Sequence, residues 1–119
     1  MKKYRLTDDP NSRGITYIAG PMSLVGPPSW NYPAFEDMAA RLRDAGYEVI
    51  APNELHEPDE NLPWDWYLRR DLRELVKCGR VVLLEDAHLS SGARLERHVA
   101  EALGMEIVEP WQHEELFNA

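Results

Sequence analysis

Four short apolar runs, each broken off by a turn or by charge, set the rhythm of this chain: "ITYIAG" (15–20), "YEVIAP" (47–52), "RVVLLE" (80–85) and "MEIVEP" (105–110). Runs of this length, rich in β-branched residues and ended by Gly, Pro or an acid, predict buried strands. The stretches between them change period. In "NYPAFEDMAARLRDAG" (31–46), Phe35, Met38, Ala39, Leu42 and Ala45 recur at helical spacing, with Asn31 placed to cap the helix and Gly46 to stop it. A second helix is predicted from about Trp64 to Lys77, with a stripe of Trp64, Leu68, Leu72, Leu75 and Val76. A third runs from Gly92 to Leu103, and a short C-terminal helix is expected in "QHEELFN". Residues 1–14 are polar and contain the turn signal Asp-Asp-Pro-Asn, so they read as a lead-in to one domain over 15–119.

Strands alternating with helices of this length predict an α/β sandwich of three layers around a mainly parallel sheet of four or five strands. In such sheets ligands bind beyond the carboxyl ends of the strands. That directs attention to three loops, Gly20–Trp30, Asn53–Pro63 and Asp86–Ser91.

Composition narrows the range of partners. With 119 residues and 44% hydrophobic content, the chain has material for one core. A net charge of −8 without a basic patch argues against nucleic acid or an anionic membrane as partner. The single cysteine, Cys78, excludes an internal disulfide and fits a reducing compartment. There is no long apolar run and no signal-peptide pattern at the start, so a soluble, cytoplasmic protein is expected. The histidines, His56, His88, His98 and His113, do not fall at a metal-ligand spacing, and no metal site is expected.

Candidate chemistry collects at the third loop. Ser90, Ser91 and Gly92 precede a helix, where free N–H groups, hydroxyls and the positive end of the dipole would suit an anion such as phosphate. A plain helix cap by either serine accounts for the same residues. Glu96 follows closely, where the dipole would hold it ionised and fit for nucleophilic or base work; an acid near a helix start is also a common electrostatic device. Asp71 lies three residues after Leu68 and four before Leu75, hence near the buried stripe of its helix. Buried charge is costly, so it needs a function or a salt bridge, for which Arg41, Arg43 and Arg94 are the candidates. Tyr17 sits near the end of the first strand, where packing is the alternative to chemistry. Two carboxylates and a phenol suit cleavage of a bond to an anomeric carbon. Trp30, Trp64 and Tyr67 offer faces for stacking on a base, or for core and interface packing. Asn53 and Glu54 end the second strand with no role assigned.

The stretches "TYIAGPMS", "NYPAFEDMAARLRDAGYEVIAPNEL", "WYLRRDL" and "SSGARLERHVAEALG" resemble, in this order over residues 15–109, the nucleoside 2-deoxyribosyltransferase-like superfamily. The likeness is to its short bacterial and phage members, in a group that includes deoxynucleoside 5′-monophosphate N-hydrolases. The resemblance implies a Rossmann-like parallel sheet between helices and a homodimer or larger assembly. It implies Glu96 as the nucleophile that forms a glycosyl-enzyme, Tyr17 as the residue that holds it, and Asp71 as the group that contacts substrate and assists leaving-group protonation. Ser90 and Gly92 match positions that take the 5′-phosphate in the hydrolases. The first loop, with Gly20, Met22 and Ser23 as its candidate substrate contacts, departs from the pattern in having no arginine. Arg94 replaces a small glycine, either supplying that positive charge or filling the pocket, and Gly79 stands where an aspartate is usual.

The expected activity is cleavage of the N-glycosidic bond of a nucleoside or its 5′-monophosphate, with the sugar released to water or passed to another base. This chemistry calls for no metal or organic cofactor. The rival expectation is a nucleotide-binding sensor or sequestering protein without turnover. Hydrolysis of a dinucleotide by the same carboxylates is a third possibility.

Overall fold

The computed structural model describes residues 14–55, 59 and 61–117; the predicted lead-in therefore lies almost wholly outside the described residues. Four strands, β1 (Ile15–Ala19), β2 (Glu48–Ile50), β3 (Arg80–Leu83) and β4 (Glu106–Val108), form one sheet in the order β2-β1-β3-β4. Every pairing is parallel. Tyr17 lies opposite Ile50 on one side and Val81 on the other, and Val81 opposite Ile107. Three α-helices connect them: α1 (Tyr32–Asp44), α2 (Trp64–Leu75) and α3 (Ser91–Ala102). The expected α/β Rossmann-like sandwich is present, with the sheet parallel throughout.

Period-two alternation along the central strands divides the core in two. Ile18, Val82 and Leu84 face α1, packing with Phe35, Met38 and Leu42. Tyr17, Ala19, Val81 and Leu83 face the opposite way, toward Leu75 of α2 and Ala93 and Ala100 of α3. Both faces of β1 and β3 are thus buried, which explains why these strands read as continuous apolar runs rather than alternating ones.

The elements end earlier than their sequence runs suggest. Pro52 starts a 3-10 turn (Pro52–Glu54) and Pro110 another (Pro110–Leu116), and proline has no N–H to extend a ladder. The C-terminal helix is accordingly of 3-10 type, closed at its start by a reciprocal Glu109/Gln112 capping box. A further 3-10 turn, Ala87–Leu89, precedes α3. Asn31 does occupy the cap position of α1, but in a left-handed conformation without a capping bond; its Nδ2 instead donates to the carbonyl of Pro21 at 2.9 Å. Gly46 follows the end of that helix with φ of 96°, the backbone that glycine accommodates best. Among the described residues no helix is long and apolar enough to cross a membrane.

The strand order places a topological switch between β1 and β3, since the chain leaves β1 toward one edge and builds β4 on the other. Their carboxyl ends diverge into separate loops, and the crevice between those loops is where a ligand site is expected.

Candidate active site

Helix α3 is where the site begins. Ser90 caps it, its Oγ accepting from the N–H of Ala93 at 3.2 Å. From there the helical repeat turns Ala93, Glu96 and Ala100 onto one face, and all three are buried. Glu96 is thereby carried under the sheet end, 5% exposed. On β1, alternation points Tyr17 to the same side, fully buried. The phenolic hydroxyl of Tyr17 donates a short hydrogen bond to Oε2 of Glu96.

Burial dominates the electrostatics here. Loss of hydration pushes the Glu96 carboxyl up to about 8, opposed by the Tyr17 hydrogen bond and reinforced by the Asp71 charge. This corrects the expectation of a carboxylate held ionised by a helix start. Glu96 lies in the second turn of α3, beyond the short reach of the dipole, and desolvation decides. The same burial, together with the charges of Glu96 and Asp71, raises Tyr17 well above the usual phenol range, so Tyr17 acts as a donor.

Asp71 is presented from α2, and its partner is its own neighbour. Arg70 Nη2 and Nε both bond Oδ1 of Asp71, at 2.6 and 3.1 Å. Burial raises the Asp71 carboxyl above its ordinary value and the Arg70 guanidinium opposes that shift. None of the three arginines expected to pair with Asp71 does so: Arg41 pairs with Glu114, Arg43 with Glu54, and Arg94 is exposed on the outer side of α3. Arg70 is itself held by the carbonyl of Pro52 at 3.3 Å and by the rings of Trp66 and Tyr67, whose centroids lie 5.8 and 5.5 Å from its guanidinium carbon.

Glu96, Asp71 and Arg70 line a cavity of about 350 Å³ at the carboxyl ends of the strands, within the size range of small-molecule sites, whereas Tyr17 is not among its lining residues. Glu96 and Asp71 contribute its carboxyls. The loop after β1 contributes Gly20, Met22, Ser23 and Trp30; the start of α3 contributes Ser90 and Gly92; α2 contributes Trp64 and Tyr67. Gly20 has a packing reason as well, since a Cβ there would meet Leu84 Cδ1 at 2.8 Å. At Gly92 a Cβ would only touch the Trp64 ring at 3.8 Å, so the missing side chain leaves room rather than relieving strain.

Arg94 does not line the cavity. Two residues before Glu96 on a helix, it is turned by about 200° from that side chain, and so neither supplies charge to the pocket nor fills it. Glu54 is engaged with Arg43 outside the cavity, and Asn53 also lies outside its lining. Several lining residues were not expected, among them Tyr32, Phe35, Asp59, Leu62 and Arg70. Arg70 left no trace in the periodicity, because residues adjacent on a helix diverge and only tertiary packing brings its flexible side chain back to Asp71. Asp59 sits in an acidic loop where nothing distinguishes one carboxylate from its neighbours. It is held by Tyr67, whose hydroxyl accepts from its N–H at 2.7 Å and donates to its carbonyl at 2.8 Å.

The geometry offers a buried acid on a phenol, a second acid on a guanidinium, and aromatic walls around both. Such a set can attack an electrophilic carbon and manage one proton. A family model described as Domain of unknown function (DUF4406) matches residues 15–109, and no curated protein matches the chain.

Proposed function

The chain belongs to this family of unknown function, and from the geometry of its own cavity we propose that it cleaves the N-glycosidic bond of a nucleoside or nucleoside 5′-monophosphate, with Glu96 as nucleophile. One observation carries the reading: a buried glutamate, bonded by Tyr17, shares a nucleoside-sized cavity with Asp71. A carboxyl that only maintained the fold would have its burial offset by a cation, whereas Glu96 is bonded by a neutral phenol and faces a void.

Glu96 in its carboxylate form attacks C1′. The C1′–N electron pair leaves with the base, and the base nitrogen takes a proton from the Asp71 carboxyl, which burial raises above its ordinary value. The resulting glycosyl ester is opened by water, which bonds to C1′, returns a proton to Asp71 and frees Glu96; a second base in place of water gives transfer. Positive charge developing at C1′ favours the Glu96 carboxylate, and the Tyr17 hydrogen bond acts in the same direction. The walls formed by Trp30 and Trp64 suit the base.

The decisive experiment is chromatography of free base after incubation with ribo- and deoxyribonucleosides and their 5′-monophosphates. Base release that vanishes in Glu96→Ala is the expected result. Release that survives in that variant would exclude Glu96 as the nucleophile.

A second reading, a nucleotide-binding protein without turnover, is favoured by one feature. Glu96, pushed up to about 8, is mainly protonated near neutral pH and could serve a ligand as a donor. Ligand binding with no base release from any member of the panel would select it. An assembly of two or more chains and a cytoplasmic location belong to the same proposal.

A further inference from the structure

Resting on the glycosidase reading, we propose that the substrate is an uncharged nucleoside and that the cavity discriminates against the 5′-monophosphate. Among the described residues that line it, the acidic side chains are Asp59, Asp71 and Glu96 against Arg70 as the one basic group, so that two acids still face one cation when Glu96 holds its proton. That arginine is committed. Nε and Nη2 hold Asp71, Nη2 also reaches the Pro52 carbonyl, and Nη1 is closed off from solvent without a partner. It therefore offers no free edge to a phosphate of the kind that bidentate recognition uses.

The start of α3, the other place for an anion, is partly spent as well. Ser90 Oγ accepts from Ala93, and the Ser90 N–H donates to the carbonyl of Ala87 at 3.1 Å. Arg94, next along the helix, points away. Hydrogen-bond chemistry leads to the same conclusion as charge. The Asp59 and Asp71 oxygens accept, and sugar hydroxyls, including the 5′-hydroxyl, donate to them; a phosphate dianion presents acceptors to acceptors. Replacing a hydroxyl by two negative charges thus loses a donor and adds repulsion in a site partly shielded from water, an effect of about tenfold or more in affinity.

The test uses the full chain with matched pairs of nucleosides and 5′-monophosphates, measuring both base release and calorimetric affinity. We expect kcat/KM and affinity at least about tenfold higher for the nucleoside, with the gap narrowing as salt is raised and also in Asp59→Asn. A monophosphate bound or cleaved as well as its nucleoside overturns this inference. If that cleavage depends on Glu96, the glycosidase reading survives. Preferential binding of nucleosides without base release from any pair overturns the glycosidase reading and leaves the charge preference standing. Neither binding nor release overturns both.

Discussion

The hydroxyl of Tyr17, on the first strand, donates to Oε2 of Glu96, on the last α-helix, across 79 positions of sequence. Both side chains are buried, and the bond joins β1 to α3. The phenol is a neutral donor, so it orients Glu96 and lowers its proton affinity without cancelling its charge.

Removing that donor should change the titration of Glu96 in a defined direction. Because the Tyr17 bond opposes the burial shift, Tyr17→Phe raises the Glu96 pKa further above about 8. The limb of a kcat/KM–pH profile that reports the Glu96 proton should move to higher pH, and activity at pH 7 should fall about 10- to 100-fold. Unchanged activity with an unmoved limb would show that Tyr17 serves only to pack the core.

Stability should also depend on pH through Glu96. Its pKa is raised on folding from 4.5 to about 8, so the native state binds the proton more tightly than the unfolded chain. The contribution is fully present below pH 4.5 and is lost as pH rises through 8. Denaturant titrations of the wild type should lose stability across this window, on the order of a few kcal/mol, more steeply than Glu96→Gln. Parallel curves would contradict the burial cost assigned to this carboxyl.

Arg70 and Asp71 form a pair with little exposure, their side chains 17% and 14% accessible. Arg70→Met leaves Asp71 without its cation and should cost about 1–3 kcal/mol in unfolding free energy. Adding Asp71→Asn should recover much of that loss, because the uncompensated charge is gone. A double-mutant cycle by chemical denaturation measures the coupling, and strict additivity would mean that the pair contributes nothing.

Trp30 lines the cavity with φ of 51°, followed by Asn31 at 63°, a left-handed backbone that bulky residues rarely adopt. Trp30→Gly and Trp30→Ala both remove the ring, but only glycine removes the strain. The glycine variant should therefore be the more stable of the two by about 1 kcal/mol, despite the greater freedom of glycine in the unfolded chain. Both should bind nucleoside about tenfold more weakly if the ring stacks on the base. Thermal melts with the reverse order would show that the local backbone relaxes around alanine at no cost.

Gly20→Ala should destabilise the fold by about 1–3 kcal/mol, because the new methyl meets Leu84 at both Cδ1 and Cβ, 2.8 and 2.9 Å away. Shortening Leu84 to alanine should relieve only part of the loss, since its Cβ remains. Full recovery in Gly20→Ala/Leu84→Ala would place the clash at the Leu84 methyl alone.

Much of the fold was legible along the chain, because burial on two faces leaves β1 and β3 apolar and burial on one face leaves α1 and α2 striped. The same periodicity placed Asp71 near the inward stripe of α2, closeness to a helix start singled out Glu96, and the loop positions of Gly20, Ser23, Ser90 and Gly92 followed from the strand ends. Tertiary structure alone decided the rest. Arg70 rather than Arg41, Arg43 or Arg94 meets Asp71, because a flexible side chain can turn back to its sequence neighbour when a proline carbonyl and two rings hold it there. Arg94 lies outside the cavity because the face of α3 that packs on the sheet carries Glu96. The protonation of Glu96 was likewise settled in three dimensions: desolvation depends on what packs around a carboxyl from other elements, and no local pattern in one helix records that.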